Sequence, residues 1–166
     1  MMKQIGVLFS LCAVAVLSAA EFKGSFEAQG DRVWVGPEYW ANPMEDWRVQ
    51  GSRLECTRAG ANRNVHVLTR ELRAAKGTLK VGVRLGRLNR GAGSAGLRVG
   101  IHTDWGDYRT WCLKGTGVNA GLHTDGTLVL AGKRTQPDAA IAKAISDLQM
   151  TLLAQPDGAN YALTLS

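Results

Sequence analysis

From Thr78 to Arg87 the chain alternates between apolar and other residues: Leu79, Val81, Val83 and Leu85 on one side, Lys80, Gly82, Arg84 and Gly86 on the other. A period of two sets four apolar side chains on one face of a β-sheet and small or basic ones on the opposite face. Ala95 to Thr103 repeats the scheme, with Leu97, Val99 and Ile101 inward and Arg98, Gly100 and His102 outward. Asp107 to Lys114 is expected to form a third strand, bulky on both faces. Together these segments make Thr78–Lys114 the stretch around which the chain is organised. A sheet with one apolar face must cover it, and long helical periodicity is missing nearby, so a second sheet is expected to lie on top.

The remaining segments fit that expectation. A short strand is predicted around Val33–Val35, then an irregular aromatic loop, Gly36 to Pro43, whose glycine and prolines oppose regular pairing. Trp47–Gln50 and Arg53–Arg58 flank Gly51-Ser52 as a hairpin, and Val65 to Thr69 alternates as another strand. Asn89 to Ser94 is a glycine-rich loop, too short and too far from a helix start to cradle a phosphate. Val118–His123 and Thr127–Ala131 enclose Thr124-Asp125-Gly126, a hairpin signal. Pro137 to Ile145 is the one plausible helix, with proline in its first turn and Asp138 at the positive end of its dipole. Leu148–Leu153 and Tyr161–Leu165 are joined across the turn residues Gln155 to Gly158. About eleven short strands and one short helix predict an all-β, antiparallel β-sandwich of jelly-roll, concanavalin A-like type. Twenty glycines among 166 residues, above the roughly 7% norm, suit so many turns.

The first twenty residues follow a different pattern: Lys3, an apolar run from Ile5 to Leu17, then Ser18, Ala19 and Ala20 before Glu21. This is the layout of a secretory signal peptide cleaved after Ala20, and the run is too short to span a bilayer comfortably. The expected product is secreted or periplasmic, free of the membrane after cleavage, with one β-sandwich domain over residues 21–166. The sequence stops at Ser166 within a strand-like run, so that domain is expected to be truncated at its C-terminus.

The formal charge is +6, one unit of it from Lys3 in the leader, and the basic residues are scattered rather than blocked. Such a surface can favour an anionic polysaccharide or phosphate ester or simply keep the protein soluble, and it contains no stripe specific for nucleic acid. Two cysteines follow the leader, Cys56 and Cys112, and export permits a disulfide between them; two buried thiols would serve equally.

Motifs for catalysis are missing. His66, His102 and His123 fall on separate predicted strands without a second ligand at metal-binding spacing, so no metal site and no cofactor are expected in this segment. No His-Glu-x-x-His, Walker loop or Gly-x-Ser-x-Gly elbow is present. Asp104 and Asp107 sit in one loop, able to hold calcium with backbone carbonyls or to remain a solvated turn. Glu38, Glu45 and Asp46 supply carboxylates, but their spacing does not establish a glycosidase pair. The positive signal is aromatic: Trp34, Tyr39, Trp40 and Trp47 cluster early, and Trp105, Tyr108 and Trp111 cluster beside the central strands. Arg84, Arg98, His102, Arg109 and Trp111 form the candidate ligand-binding set on the outward face, with Gly82, Gly86 and Gly100 leaving room for a glycan or anionic ligand; the competing role for the tryptophans is packing.

The run Asp46-Trp47-Arg48-Val49-Gln50-Gly51-Ser52-Arg53-Leu54-Glu55 is similar to the opening of secreted concanavalin A-like or laminin G-like sandwiches, including 3-keto-disaccharide hydrolase-like domains. Val33 to Pro43, Asn62 to Thr69, and Tyr108-Arg109 followed by Gly115 to Gly126 more closely resemble the N-terminal sandwich of secreted bacterial alkaline phosphatase D-like (PhoD-like) proteins. That resemblance implies a noncatalytic accessory or binding module, with a metal-dependent phosphoesterase domain downstream in the same polypeptide. The family's Gly-Asp-x-x-Asp and Gly-Asn-His motifs are missing, since Gly30-Asp31 and Gly106-Asp107 lack their partners. The alternative implied by the first resemblance is a carbohydrate-active enzyme of the 3-keto-disaccharide hydrolase-like class.

Overall fold

A computed structural model describes residues 21–27, 30–71, 77–103, 105–107, 109–111 and 117–166. The expected signal peptide, residues 1–20, and Asp104, Tyr108 and Cys112 lie outside the described residues. The chain is all-β and antiparallel. Its strands are β1 (Tyr39–Asn42), β2 (Trp47–Gln50), β3 (Arg53–Cys56), β4 (Asn64–Val67), β5 (Leu79–Leu85), β6 (Ser94–Val99), β7 (Val118–His123), β8 (Leu128–Leu130), β9 (Lys133–Arg134), β10 (Leu148–Asp157) and β11 (Asn160–Leu165). Met44–Asp46 forms a 3-10 turn and Ala139–Ala144 a short helix, α1.

The strands form four ladders, ordered β1-β4, β2-β3, β11-β10-β5 and β6-β7-β8-β9. The two best-patterned strands therefore belong to different sheets, which corrects the expectation of one central sheet over Thr78–Lys114. β5 pairs with the distant β10 because β10 repeats its alternation: Val81 faces Leu152, Val83 faces Met150 and Leu85 faces Leu148. Leu152 is fully buried, and Met150 and Ala154 nearly so. In the four-stranded meander, Leu97 faces Ala120 and Ala120 faces Leu130, so an apolar face gathers around the buried Ala120 and Leu122. A cavity of about 500 Å³ is lined by Leu128 and Leu130 from this meander and by Tyr161, Leu163 and Leu165 from β11. Leu128 and Leu130 of one sheet and Tyr161, Leu163 and Leu165 of the other thus line the same cavity, and burial of such side chains contributes about 25 cal/mol per Å² of apolar area.

Four local expectations are corrected. Residues 109–111 are helical, with Trp111 N–H donating to Asp107 O at 3.0 Å, so the described part of the Asp107–Lys114 segment is not the expected strand; the Asp107 carboxylate starts the turn by accepting from the Arg109 and Thr110 amides. Val33–Val35 is not a strand either, and only Arg32 bridges to Val49. Val35 is buried, whereas Val33 and Trp34 are exposed. Conversely, Gly36–Pro43 does pair: Tyr39–Asn42 fits between Pro37 and Pro43 and ladders onto β4, the Asn42–Pro43 peptide being cis. The prolines flank this strand and so remove none of its ladder bonds. The Ala95–Thr103 strand ends at Val99, before Gly100 in the left-handed region at φ 68°.

Candidate ligand-binding site

The five residues of the candidate set occupy three places. Arg84, on the outward face of β5, forms a bidentate pair with Asp147, its Nε donating to Oδ1 at 2.5 Å and its Nη2 to Oδ2 at 2.6 Å. The Arg84 guanidinium holds the Asp147 carboxyl below its usual range. Arg98, on β6, donates from Nε to Asn119 Oδ1 on β7 at 2.6 Å. His102 and Trp111 are brought into contact in the segment that follows β6, and Arg109 lies on the same helical turn as Trp111.

That segment is held by its own hydrogen bonds. Thr103 Oγ1 donates to Trp105 O at 2.7 Å and accepts from Trp111 Nε1 at 2.9 Å, and the same indole N–H also lies 3.2 Å from Trp105 O. Asp107 accepts from Arg109 Nε and Nη2 at 3.0 and 2.5 Å, and these bonds hold its carboxyl below the ordinary value. His102 packs on Trp111 with ring centroids 4.4 Å apart, and its Nδ1 donates to Glu71 Oε1 at 2.8 Å. The result is a buried tryptophan as a floor and an exposed one as a rim. Trp111 is 7% exposed and cannot offer its ring to a ligand, which corrects its place in the binding set; Trp105 is 65% exposed on the loop that Trp111 supports. Trp105 belongs to the aromatic cluster of the sequence but not to the candidate set. Its signal was the company of Asp104, Gly106 and Asp107, residues that keep a loop at the surface.

The carboxylates are engaged by cations. Asp46, 3% exposed, accepts from Arg63 Nε at 2.9 Å with Arg58 Nε at 3.7 Å, and Glu55, 5% exposed, accepts from Arg48 and Arg53 at 2.9 to 3.0 Å. Glu38 accepts from Thr69 Oγ1 at 3.5 Å, and Glu45 is exposed. A glycosidase acid needs its proton retained at neutral pH, and the Asp107 and Asp147 carboxyls shift the opposite way. Among the described residues no three His, Cys, Asp or Glu side chains converge to hold a metal ion. Cys56 is a half-buried free thiol whose Sγ lies 3.3 Å from Arg58 O, and burial raises its pKa; its expected partner Cys112 is outside the described residues.

His66 gives a pH signature. It is buried on β4, its Nε2 donates to Asn64 Oδ1 at 2.7 Å, and burial, with Arg98 nearby, lowers its pKa from 6.5. A folded-state pKa below the unfolded one means that the unfolded chain takes up the proton first. Stability is therefore full above about pH 6.5 and falls as the pH drops through that value toward the lower folded pKa. Urea midpoints measured between pH 7.5 and 5 are expected to decline for the wild type and to flatten in His66→Gln; equal slopes would refute this.

Compared with protein-family models, with curated proteins and with solved structures, the chain matches none.

Proposed function

We propose that this chain is a noncatalytic binding module of an exported protein, built as two stacked sheets, which recognises a glycan or phosphorylated surface through residues 102–111. In the resemblance drawn from sequence, such a module stands before a metal-dependent phosphoesterase domain in the same polypeptide. The observation that carries the reading is Trp105, an exposed indole on a loop fixed from beneath by the Thr103–Trp111 hydrogen bond. A flat ring covers the apolar face of a sugar, and the pairs Glu71–His102 and Asp107–Arg109 supply polar groups for hydroxyls or anionic substituents. Hydrogen bonds among Thr103, Trp105 and Trp111 hold the Trp105 backbone in place, which lowers the entropy lost there on binding.

Glycan arrays probed with wild type and Trp105→Ala test this. Trp105 is 65% exposed, so the variant should melt near the wild-type temperature while losing about tenfold in affinity, equivalent to about 1.4 kcal/mol. Matching array profiles would remove Trp105 from the site. The full chain should hydrolyse neither a phosphodiester nor a glycoside. Reproducible turnover abolished by Asp107→Asn would overturn the noncatalytic reading.

A further inference from the structure

A second place on the molecule has donors and no acids. On the face of the meander opposite the apolar one, a cavity of about 430 Å³ is walled by Gly117, Asn119, Val129, Gly132 and Arg134. Cross-strand register puts its side chains on one surface, since Arg98 faces Asn119 across β6–β7 and Val129 faces Arg134 across β8–β9. Asn119 Oδ1 is occupied by Arg98 Nε, which leaves the Asn119 amide N–H groups as donors. Arg134 has no ion-pair partner among the described residues, in contrast to Arg84 and Arg109, which hold carboxylates. None of the residues lining the cavity is acidic.

The turn that brings Arg134 back is fixed. Ala131 and Gly132 lie in the left-handed region at φ 50° and 80°, and Ala131 N–H donates to Asn119 O at 3.0 Å. Gly117, at φ 97°, closes the other side, where a Cβ would come within 2.5 Å of Val99 O and 3.0 Å of Ile101 Cγ2. That wall adjoins the start of the loop bearing His102 and Trp105.

We infer that this cavity is an oxyanion subsite, taking a sulfate, phosphate or carboxylate group of an acidic polysaccharide between Arg134 and the Asn119 amide, with Arg98 adding charge behind Asn119. An acceptor-only group matches a lining whose polar side chains are the donors of Arg134 and Asn119, and guanidinium forks suit planar or tetrahedral oxyanions. The inference rests on the binding-module reading for the kind of molecule and on its own geometry for the place.

The test is NMR titration of the isotope-labelled full chain with a sulfated dextran oligosaccharide, neutral dextran and sodium sulfate, at low and high salt. The sulfated sugar should shift the Asn119 side-chain amide and the Gly132 amide saturably, and more weakly at high salt. Arg134→Gln should weaken that binding about tenfold, and Arg134→Lys less, with backbone spectra otherwise unchanged. Trp105→Ala should leave the shifts at Asn119 and Gly132 in place. If sodium sulfate alone produces them at similar concentration, the oxyanion class stands and a free anion is the source. If wild type and Arg134→Gln respond alike, or the shifts fall elsewhere, the subsite is refuted. Shifts at Asn119 without any glycan response at Trp105 would retain the subsite and reject the loop reading.

Discussion

Gly126→Ala is expected to destabilise the fold by about 2–5 kcal/mol, combining a left-handed backbone penalty with a collision. Gly126 sits at φ 84° in the β7–β8 hairpin, and a Cβ built there falls 1.9 Å from Asp138 O, 2.8 Å from its carbonyl carbon and 3.0 Å from its nitrogen. All three are backbone atoms, so no side chain can rotate away. Asp138 is also the cap of α1, its Oδ1 accepting from the Ala140 and Ile141 amides at 2.7 and 3.1 Å. Moving it would strain the cap and the hairpin together. Thermal unfolding should show a drop of about 5–15 °C. Gly158→Ala is the control: Gly158 has φ 60° but nothing within 4 Å of the added carbon, so it should lose only about 1–2 kcal/mol. Equal losses would mean that the hairpin and α1 are not packed as described.

The second large effect concerns the buried carboxylate of Glu55. It faces Arg48 across the β2–β3 ladder and also accepts from Arg53, so either arginine alone leaves it partnered. Arg48→Ala and Arg53→Ala should each cost less than about 1 kcal/mol, because both guanidinium groups reach solvent. The double variant strands a carboxylate that is 5% exposed and should cost about 3 kcal/mol, more than the sum of the singles. Adding Glu55→Met to the double variant should restore much of the loss, since an apolar side chain needs no partner there. Denaturant unfolding of the four variants measures this, and simple additivity would show that water already solvates the acid.

These effects mark where sequence was readable. Period-two alternation identified β4, β5 and β6, and turn residues between apolar runs placed β7, β8, β10 and β11. The Asp125-Gly126 signal and the Asp138 cap were legible because both act within a few residues. Pairing was not: the partner of β5 is set by β10, more than sixty residues on, whose matching apolar positions outcompete the nearer β6. Residues 109–111 were misread because bulky residues on both faces fit a strand as well as a helical turn, and the Asp107 carboxylate decides between them through its bonds to the Arg109 and Thr110 amides. The burial of Glu55 and Asp46 was not legible, since burial by surrounding arginines has no periodic signature. For the site, the residue types around 102–111 were visible, but which tryptophan is floor and which is rim depended on a single Thr103 hydroxyl.

The most direct measurement follows the tryptophan indole N–H resonances of the full chain while the oligosaccharide giving the strongest array signal is titrated in. The account predicts a saturable shift of the Trp105 resonance with the buried Trp111 resonance moving less. A Trp105 resonance that stays in place while the sugar binds would contradict it.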